Sequence, residues 1–555
     1  MTESIKAVRL PALAAVLLGS LLGACAPNPG PTTRPEPETA NTNRSAPAAS
    51  SKSDAPAGPT EAPPAWQRLD AARDGINGTG VDRALAELLA DRRPTRRVVV
   101  AVIDGGIDTL HAQLAPVIWR NEREVAGNGI DDDRNGYVDD VRGWSMIPKL
   151  PGDTGRFDTM ELTRLHAACS GAPAGARIPR PADADCARYA KAYGEKSTEI
   201  SGMSAQITSI GGMYAQVTAR MRRAVGSDSL TVPRVQRYTT TSSDEASAKA
   251  MWLRLADAGI DSAVLATASE QLVGQQWGLN TAYDPRALPH DARGSNDVNG
   301  PDPMHGTHVA GIIGAVAASG ANVRGIAPYV TIMPIRAVPD GDERDEEVAR
   351  AIRYAVDNGA QVVNMSFGKG YSPGKPAVDS AVRYAAQKGV LLVHAAGNDG
   401  ADNDTVPSFP SRRLDNGDET PLWLEIGASS WKGGAALPAE FSNYGARSVD
   451  LFAPGVDIVS TVPGGKVAPE SGTSMAAPVV SGVAALLLSY FPSLTPAQVR
   501  GIIVETARPL RDLEVKRPGD ETDRTVRFGM LSRTGGVIDA YAAVQRAIEL
   551  AKPLP

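Results

Sequence analysis

A run of six apolar residues, from residue 98 to residue 103, constrains the fold of this chain more than any other feature. It ends at Asp104, and Gly105 and Gly106 follow. A continuous apolar run of this length is typical of a strand buried on both faces, as in a parallel sheet. Functional side chains in open α/β sheets gather at the carboxyl ends of the strands. Asp104 is therefore a candidate site residue, although an Asp here could also be a turn residue or a metal ligand.

The same alternation of strand and helix returns after residue 305. Strand patterns cover residues 330–337, 361–366, 390–395, 423–428 and 449–452, and helical patterns cover residues 307–318, 343–358, 375–388 and 475–491. This alternation predicts an α/β fold with an open, mostly parallel sheet flanked by helices. Because 42% of the residues are hydrophobic and only 5% are aromatic, we expect an aliphatic core. The net charge of −6 offers no basic surface, so no nucleic-acid partner is expected.

The first residues are typical of an export signal. Lys6 and Arg9 precede a short apolar stretch, which is too short to span a bilayer comfortably. The stretch ends in Leu-Gly-Ala before Cys25, which resembles the bacterial lipobox, although small residues also precede ordinary cleavage sites. We therefore expect residues 1–24 to be a lipoprotein signal peptide and Cys25 to be lipidated.

Residues 25–65 are rich in Pro, Ala and Ser and have almost no large apolar side chain. Such a segment cannot bury a core, so we expect a disordered tether between the lipid and the globular part. Ala26 differs from the Asp that retains such lipoproteins in the inner membrane. The expected location is thus outside the cytoplasm, anchored to a membrane through the N-terminal lipid, and more specifically the bacterial outer membrane.

Residues 147–285 interrupt the alternation between two parts, 66–146 and 286–555, that are expected to form one catalytic domain. Apolar residues between Ile200 and Met221 recur at three- and four-residue spacing, which predicts a long amphipathic helix. A second helix is expected over residues 244–272. This mainly helical insertion is either a self-packed decoration or a lid or docking arm. Cys169 and Cys186 could form a disulfide within it, although spacing alone does not decide this.

Ser474 and His305 are candidates for a nucleophile and its base. Ser474 lies at the predicted start of an apolar helix, where it could cap the helix or lie near free backbone N–H groups. His305 begins another predicted helix, and His308 follows three residues later. Two His residues could bind a metal, but the two-His zinc helix has four-residue spacing and an internal Glu. His308 is therefore expected to be a packed structural residue.

Asn398 follows another buried strand, in Ala-Ala-Gly-Asn. Its amide could donate a hydrogen bond to an oxyanion, although an isolated Asn beside Gly is usually a turn residue.

Together, and in this order, the motifs around Asp104, His305, Asn398 and Ser474 resemble the subtilisin family of serine peptidases. The resemblance covers about residues 66–146 and 285–548. It implies that Asp104 orients His305, that His305 is the general base and then acid, and that Ser474 is the nucleophile. Asn398 would stabilise the oxyanion.

The resemblance also implies that the segment Ser366, Phe367 and Gly368 pairs with an extended polypeptide substrate and lines the first specificity pocket. The departures are the insertion, the tether, and Gly105 where the family often has Ser or Thr. The chain before the first strand is too short, once the tether is set aside, for the family's inhibitory prodomain. We therefore expect folding without that segment.

Residues 129–140 are dense in carboxylates and resemble the opening of an EF-hand loop, with Gly136 at the tight turn. The glutamate that closes such a loop is missing. The candidate ligands for a structural Ca²⁺ are Asp131, Asp133, Asn135, Asp139 and Asp140. An acidic surface turn without an ion is the alternative.

Three functions remain open from the sequence. The first is a secreted, lipid-anchored serine endopeptidase that works through an acyl-enzyme. The second is a catalytically silent binding lipoprotein on the same scaffold. The third is a processing peptidase dedicated to one partner and gated by the insertion.

Overall fold

The computed structural model describes residues 61–148, 155–283, 294–317, 323–520, 522 and 524–551. The predicted signal peptide, Cys25 and nearly all of the predicted tether lie outside the described residues. The described chain forms two compact units. One combines Ala62–Ala205 with the residues from Ala263 onward, and the other is Gln206–Ser262.

A nine-stranded sheet is the centre of the first unit. The described strands are β1 (Val98–Asp104), β2 (Trp144–Ser145), β3 (Val330–Arg336), β4 (Val362–Met365), β5 (Leu391–Ala395), β6 (Trp423–Ser429), β7 (Leu451–Pro454), β8 (Ile458–Val462), β9 (Lys466–Glu470), β10 (Arg508–Pro509), β11 (Glu514–Lys516), β12 (Thr525–Arg527) and β13 (Gly536–Val537). The sheet order is β10-β13-β7-β6-β5-β4-β1-β3-β2. Every pair in it is parallel except β10 with β13, and β8–β9 and β11–β12 form separate hairpins.

Strand β1 is buried on both faces. Val100 and Val102 belong to a hydrophobic cluster that includes residues of the helices Met304–Gly314 and Thr473–Tyr490. Ala101 and Ile103 belong to a different cluster, with residues of the helices Asp345–Asp357 and Lys375–Gln387. Successive side chains of a strand point to opposite faces, so the unbroken apolar run follows from helices that cover both sides.

The longer described helices are α1 (Glu161–Ser170), α2 (Asp183–Val225), α3 (Val232–Arg237), α4 (Ser243–Asp257), α5 (Ser262–Gly278), α6 (Met304–Gly314), α7 (Asp345–Asp357), α8 (Lys375–Gln387), α9 (Thr473–Tyr490), α10 (Pro496–Glu505) and α11 (Ala540–Leu550). Short helical turns occur at Trp66–Arg68, Ala71–Asp74, Val81–Arg83, Ala84–Leu88, Ala115–Val117, Pro173–Gly175, Gly434–Ala436 and Phe528–Met530. Among the described residues, only α9 is long and apolar enough to cross a membrane, and 89% of that window is buried inside the protein.

The predicted α/β class is confirmed, and the predicted strands and helices of the catalytic part lie within a few residues of the observed ones. The predicted single helix over residues 244–272 is wrong. The chain leaves helical geometry after Asp257, Gly259 has a φ of 71°, and α5 begins at Ser262. A positive φ is easily adopted by Gly and ends a helix, and apolar periodicity alone does not reveal this.

The insertion contributes to both units. Helix α1 and the short turn Pro173–Gly175 belong to the unit of the sheet. In the other unit, Met221, Val235, Ala248 and Trp252 form a small core of their own. Cys169 and Cys186 are joined as a disulfide, with Cα atoms 5.5 Å apart.

Candidate functional site

The candidate site lies where β1, β4 and β5 end. These strands are neighbours in the sheet and run parallel, so their carboxyl ends share one edge. Asp104 is the last residue of β1, and Ser366 follows β4 directly. Helices α6 and α9 begin near this edge and bring in His305 and Ser474.

Asp104 and His305 form a direct hydrogen bond. The Nδ1 atom of His305 lies 2.8 Å from Oδ1 of Asp104, and the side chain of Asp104 is only 3% exposed. The same Oδ1 accepts a bond from the backbone N–H of Gly105 at 2.7 Å. Because a carboxylate oxygen accepts, Nδ1 carries the proton, and the other ring nitrogen, Nε2, is left free to act as a base.

Gly306 permits this approach of α6 to β1. A Cβ atom at Gly306 would lie 2.2 Å from the backbone oxygen of Gly106 and 3.1 Å from Cβ of Asp104. Any larger residue would therefore push the start of α6 away from the strand. The Gly after His305 is thus part of the geometry that joins the imidazole to the carboxylate.

The pKa of the His305 imidazole is raised above its ordinary value. Removal from solvent lowers this pKa, but the charge of Asp104 and the hydrogen bond with it raise the pKa, as do the charges of Glu470 and Asp302. Although protein surrounds the ring, 45% of the side-chain surface remains open to solvent. The imidazole is therefore reachable by a substrate and tuned towards a higher pKa by a fixed carboxylate.

Ser474 is the second residue of α9 and is half-buried. Its hydroxyl donates to the backbone oxygen of Ser366 at 3.1 Å, and the Ser366 hydroxyl donates to the backbone oxygen of Ser474 at 3.0 Å. Among the described residues, no hydrogen bond joins the Ser474 hydroxyl to the His305 imidazole. Ser474 would therefore have to rotate about its Cα–Cβ bond to donate to the imidazole, which is common in sites without substrate.

Two hydrogen-bond donors border one space beside Ser474. A Cβ built on Gly472 would lie 3.5 Å from the backbone nitrogen of Ser474 and 3.7 Å from Nδ2 of Asn398. The Oδ1 atom of Asn398 accepts bonds from the backbone N–H and the hydroxyl of Thr473, at 2.8 and 3.1 Å. With Oδ1 held in this way, Nδ2 is oriented towards the space and can donate to an oxygen placed there.

Asn443 supports this arrangement, and the sequence reasoning missed it. The side chain is 3% exposed, and its Oδ1 accepts from the backbone N–H groups of Asp399 and Ala401 at 2.9 and 3.0 Å. Its Nδ2 donates to the backbone oxygen of Ala396 at 3.0 Å. Asn443 thereby fixes the loop on both sides of Asn398. Its role is visible only from its contacts in the folded protein, because the residues around Asn443 in the sequence carry no signal for it.

The predicted substrate segment, Ser366, Phe367 and Gly368, leaves β4 at the same edge. Gly368 is exposed, while Lys369 is buried and pairs with Phe409 in an antiparallel bridge. An exposed extended segment can add a substrate strand through backbone hydrogen bonds.

A buried His–Glu pair lies below this segment. Nε2 of His394 lies 2.8 Å from the backbone oxygen of Phe367, and Nδ1 lies 2.9 Å from Oε1 of Glu425. The indole N–H of Trp423 donates to the other carboxylate oxygen at 2.7 Å. Because a carbonyl only accepts, His394 must donate through Nε2, and the backbone position of Phe367 is fixed from inside the protein.

His308 is fully buried, and its Nε2 lies 3.0 Å from the backbone oxygen of Ala468. Burial lowers the pKa of His308 to about 3. The residue is therefore a neutral, packed imidazole, as expected from the sequence.

The carboxylates of the predicted calcium loop have different surroundings. Oxygens of Asp131, Asp133 and Glu124 lie within 4.8 Å of one another. Asp139 instead accepts backbone N–H bonds from residues 127–129, and Asp140 accepts from Asn121, Asn135 and the hydroxyl of Tyr354. The Asn135 side-chain oxygen accepts from the backbone of Tyr137. Glu124 lies outside the loop motif, so the sequence pattern could not identify it.

A model of the Subtilase family matches residues 95–530. A thermophilic serine proteinase of Bacillus sp. (strain AK1) is 40% identical over 211 residues, which cover 37% of this chain and 48% of the relative. Alkaline elastase YaB of Bacillus sp. (strain YaB) is 38% identical over 242 residues, which cover 43% of this chain and 55% of the relative.

Among solved structures, the protease domain of PatA, in a mutant form, is 32% identical with a TM-score of 0.36, over 44% of this chain and 81% of that chain. The chain spans about half the length of the two Bacillus relatives that it matches.

Proposed function

The chain belongs to the subtilase family, and from this premise we propose that it is a serine endopeptidase acting through Asp104, His305 and Ser474. The observation that carries the proposal is the 2.8 Å hydrogen bond between Asp104 and His305, formed at the sheet edge where Ser474 begins α9. A buried carboxylate, an accessible imidazole and a hydroxyl at a helix N-terminus are the three groups that acyl transfer needs.

The reaction follows from these positions. The Ser474 oxygen attacks the carbonyl carbon of the scissile bond, and its proton moves to Nε2 of His305. The negative charge that develops on the carbonyl oxygen is stabilised by the backbone N–H of Ser474 and by Nδ2 of Asn398. His305 then gives the proton to the leaving amine, which breaks the C–N bond and leaves an acyl-enzyme. Water then attacks the acyl carbon and gives a proton to Nε2 of His305. His305 passes this proton to the Ser474 oxygen as the ester C–O bond breaks, which releases the acid and restores the free enzyme.

The proposed substrate is an extended polypeptide. Gly368 is exposed two residues after the buried Ser366, and the carbonyl of the intervening Phe367 is held by His394. This leaves one open backbone edge along which a substrate strand could pair.

A fluorophosphonate probe tests the nucleophile directly. The wild-type protein is expected to be labelled at Ser474, because the probe reacts only with an activated serine hydroxyl. Failure to label the folded wild-type protein would favour the alternative of a silent binding lipoprotein. Labelling of both the wild type and Ser474→Ala would point to another nucleophile.

Loss of the Asn398 donor is expected to lower turnover. Asn398→Ala should reduce kcat by about 10²–10³, the size typical of removing one oxyanion donor from a subtilisin-like site. Asn398→Asp keeps the oxygen that accepts from Thr473 but removes the N–H donor, so it should be impaired as well. Steady-state kinetics on a peptide substrate measures both, and wild-type turnover in either variant would exclude the proposed role.

We also propose a structural Ca²⁺ in the loop that follows the β1 region. Three carboxylates, from Glu124, Asp131 and Asp133, have oxygens within 4.8 Å of one another, and the Arg123 guanidinium offsets the charge of Asp133 in part. Oxygen ligands of this kind suit a hard ion. Burial raises the pKa of the Glu124 carboxyl, which an ion would reverse. These three residues would hold the ion and brace the loop.

Chelation is expected to destabilise the protein. Excess EGTA should lower Tm by about 3–10 °C, because loss of an ion bound only to the folded state removes its stabilisation. In Asp131→Asn, which weakens the proposed site, EGTA should have little further effect. An unchanged Tm of the wild-type protein in EGTA would contradict the assignment.

Export and lipid anchoring through Cys25 complete the proposal and rest on the sequence of residues 1–65. Radiolabelled palmitate fed to expressing bacteria should label the wild type and not Cys25→Ser. Equal labelling of the two proteins would contradict a lipid at Cys25, and membrane fractionation of the labelled cells would distinguish the outer from the inner membrane.

A further inference from the structure

Lys369 connects the substrate segment to the insertion. It directly follows Gly368, yet its side chain is almost fully buried. Its Nζ lies 2.8 Å from Oε2 of Glu161, 2.9 Å from Oδ1 of Asp345 and 2.7 Å from the backbone oxygen of Glu343. Glu161 is the first residue of α1, in the part of the insertion that belongs to the unit of the sheet.

We propose that Lys369 and Glu161 are a positioning pair through which helix α1 of the insertion fixes the substrate segment and strengthens binding of extended polypeptides. This inference rests on the proposed peptidase function, and it gives the insertion a role in substrate recognition at that same site.

The ammonium group of Lys369 has one fixed orientation. It donates hydrogen bonds to the Glu161 carboxylate and to the backbone oxygen of Glu343, and it forms an ion pair with Asp345 at 2.9 Å. A buried ammonium without these partners would be costly, so the side chain cannot swing away. The neighbouring carboxylates, with the charge of Glu161 first, raise the pKa of Lys369 against the effect of burial.

The backbone of Lys369 is fixed as well. Its N–H donates to the oxygen of Phe409 at 3.0 Å, and the N–H of Phe409 donates back at 2.9 Å. Because Ser366 is bonded to Ser474 at the other end, the segment is held at both ends and is exposed only at Gly368. A shift of Lys369 would therefore change the segment that pairs with substrate, and would leave the nucleophile in place.

Glu161 is itself rigidly supported. Its backbone N–H donates to Oδ2 of Asp342 at 2.7 Å, and its carboxylate accepts from Nη1 of Arg164 at 2.8 Å. Arg164 is 2% exposed and also bonds to the backbone oxygen of Asp342. The first turn of α1 is thus built into the same buried network as residues 342–345, so it can transmit a fixed position to Lys369.

The experiment compares substrates of increasing length. Glu161→Gln and Lys369→Met are measured on peptide substrates with one, two and four residues on the acyl side of the cleaved bond. We expect KM for the four-residue substrate to rise about 5- to 20-fold, with less than about a 2-fold change for the one-residue substrate. The labelling rate with a small fluorophosphonate should stay within about 2-fold of wild type, because Ser474 and His305 are not moved.

Asp158→Asn is the matched control. Asp158 is a buried carboxylate of the same network, bound to Arg344 at 2.7 and 2.8 Å, and it makes no hydrogen bond to Lys369. It should lower Tm but leave the dependence of KM on substrate length unchanged. The inference would be overturned if KM depended on substrate length in the same way in wild type, Glu161→Gln and Lys369→Met. It would also be overturned if Asp158→Asn changed that dependence as much as the two variants do.

A double variant, Glu161→Leu with Lys369→Met, covers the case in which a single change prevents folding. Asp345 keeps bonds from Ser372 and Gly374, and Arg164 keeps bonds to Thr159 and Asp342. The apolar pair therefore leaves neither charge without a partner, but it makes no directional hydrogen bond between positions 161 and 369. It should therefore fold and still bind the four-residue substrate weakly. Wild-type length dependence in the double variant would overturn the inference. A wild-type protein that is neither labelled nor active would instead refute the proposed function.

Discussion

Ser474→Ala is expected to lower kcat on a peptide substrate by a factor on the order of 10⁶, the size generally found for loss of the nucleophile from subtilisin-like triads. The substitution removes the oxygen that forms the acyl-enzyme, and no other described hydroxyl has its place between Ser366 and the donors of Asn398 and Ser474. Binding should be nearly unchanged, because the substrate segment and the oxyanion donors remain. Single-turnover cleavage and substrate binding measured together separate the two effects.

Residual activity is also informative. The donors that remain should still stabilise the oxyanion of an attacking water, so a rate about 10³ above the uncatalysed reaction is expected. Ser366→Ala is the matched control, since it removes a hydroxyl from the same reciprocal pair but keeps the nucleophile. A Ser474→Ala enzyme with more than about 1% of wild-type turnover would remove Ser474 from the mechanism.

Asp104→Asn is expected to lower kcat by about 10⁴, again the size generally found for this member of the triad. The reason lies in the atoms around the carboxylate. If the new amide N–H₂ replaced Oδ1, it would face the N–H groups of Gly105 and His305 as a third donor. His305 would then change tautomer and lose the free nitrogen that accepts the proton of Ser474.

The opposite orientation of the amide is also unfavourable. The Oδ2 atom of Asp104 is buried and has no hydrogen-bond partner among the described residues. An N–H₂ group placed there would be an unsatisfied buried donor, which costs about 1–3 kcal/mol. The variant therefore loses either the correct tautomer or stability, and the pH profile of kcat distinguishes these two results.

The acid limb of that profile should move to lower pH in Asp104→Asn, because the charge that raises the pKa of His305 is gone. Asp302→Asn is the control. Its carboxylate raises the pKa of His305 only through its charge, without a hydrogen bond to the ring, so kcat should fall less than about 5-fold. A similar loss in both variants would show that charge alone, and not the oriented bond, supports catalysis.

The sequence predicted the sheet well because its signals are local. The apolar run before Asp104 and the similar runs before Ser366 and Asn398 each describe a strand covered on both faces, and parallel pairing places their ends on one edge. Helices α6 and α9 begin near the same edge, so His305 and Ser474 lie close to these strand ends. The order of these motifs, through the family resemblance, predicts the same candidate site.

The parts that the sequence could not predict depend on contacts between distant segments. Glu124 meets Asp131 outside the loop motif, and Lys369 meets Glu161 across more than two hundred residues. Each contact depends on single charged residues far apart in the sequence. No periodic sequence pattern therefore reveals either pair. The break at Gly259 was missed for another reason: its positive φ interrupts a helix without interrupting the apolar spacing.

The position of β1 in the sheet also affects how the protein is made. Its two neighbours are β3 and β4, so the register joins Val98 to Val330 on one side and Val100 to Val362 on the other. A chain that leaves the ribosome from its N-terminus therefore carries an apolar strand with two open edges until β3 has emerged, and with one open edge until β4 has emerged. Open strand edges invite aggregation, so we expect β1 to be the segment most prone to intermolecular pairing while the chain is incomplete.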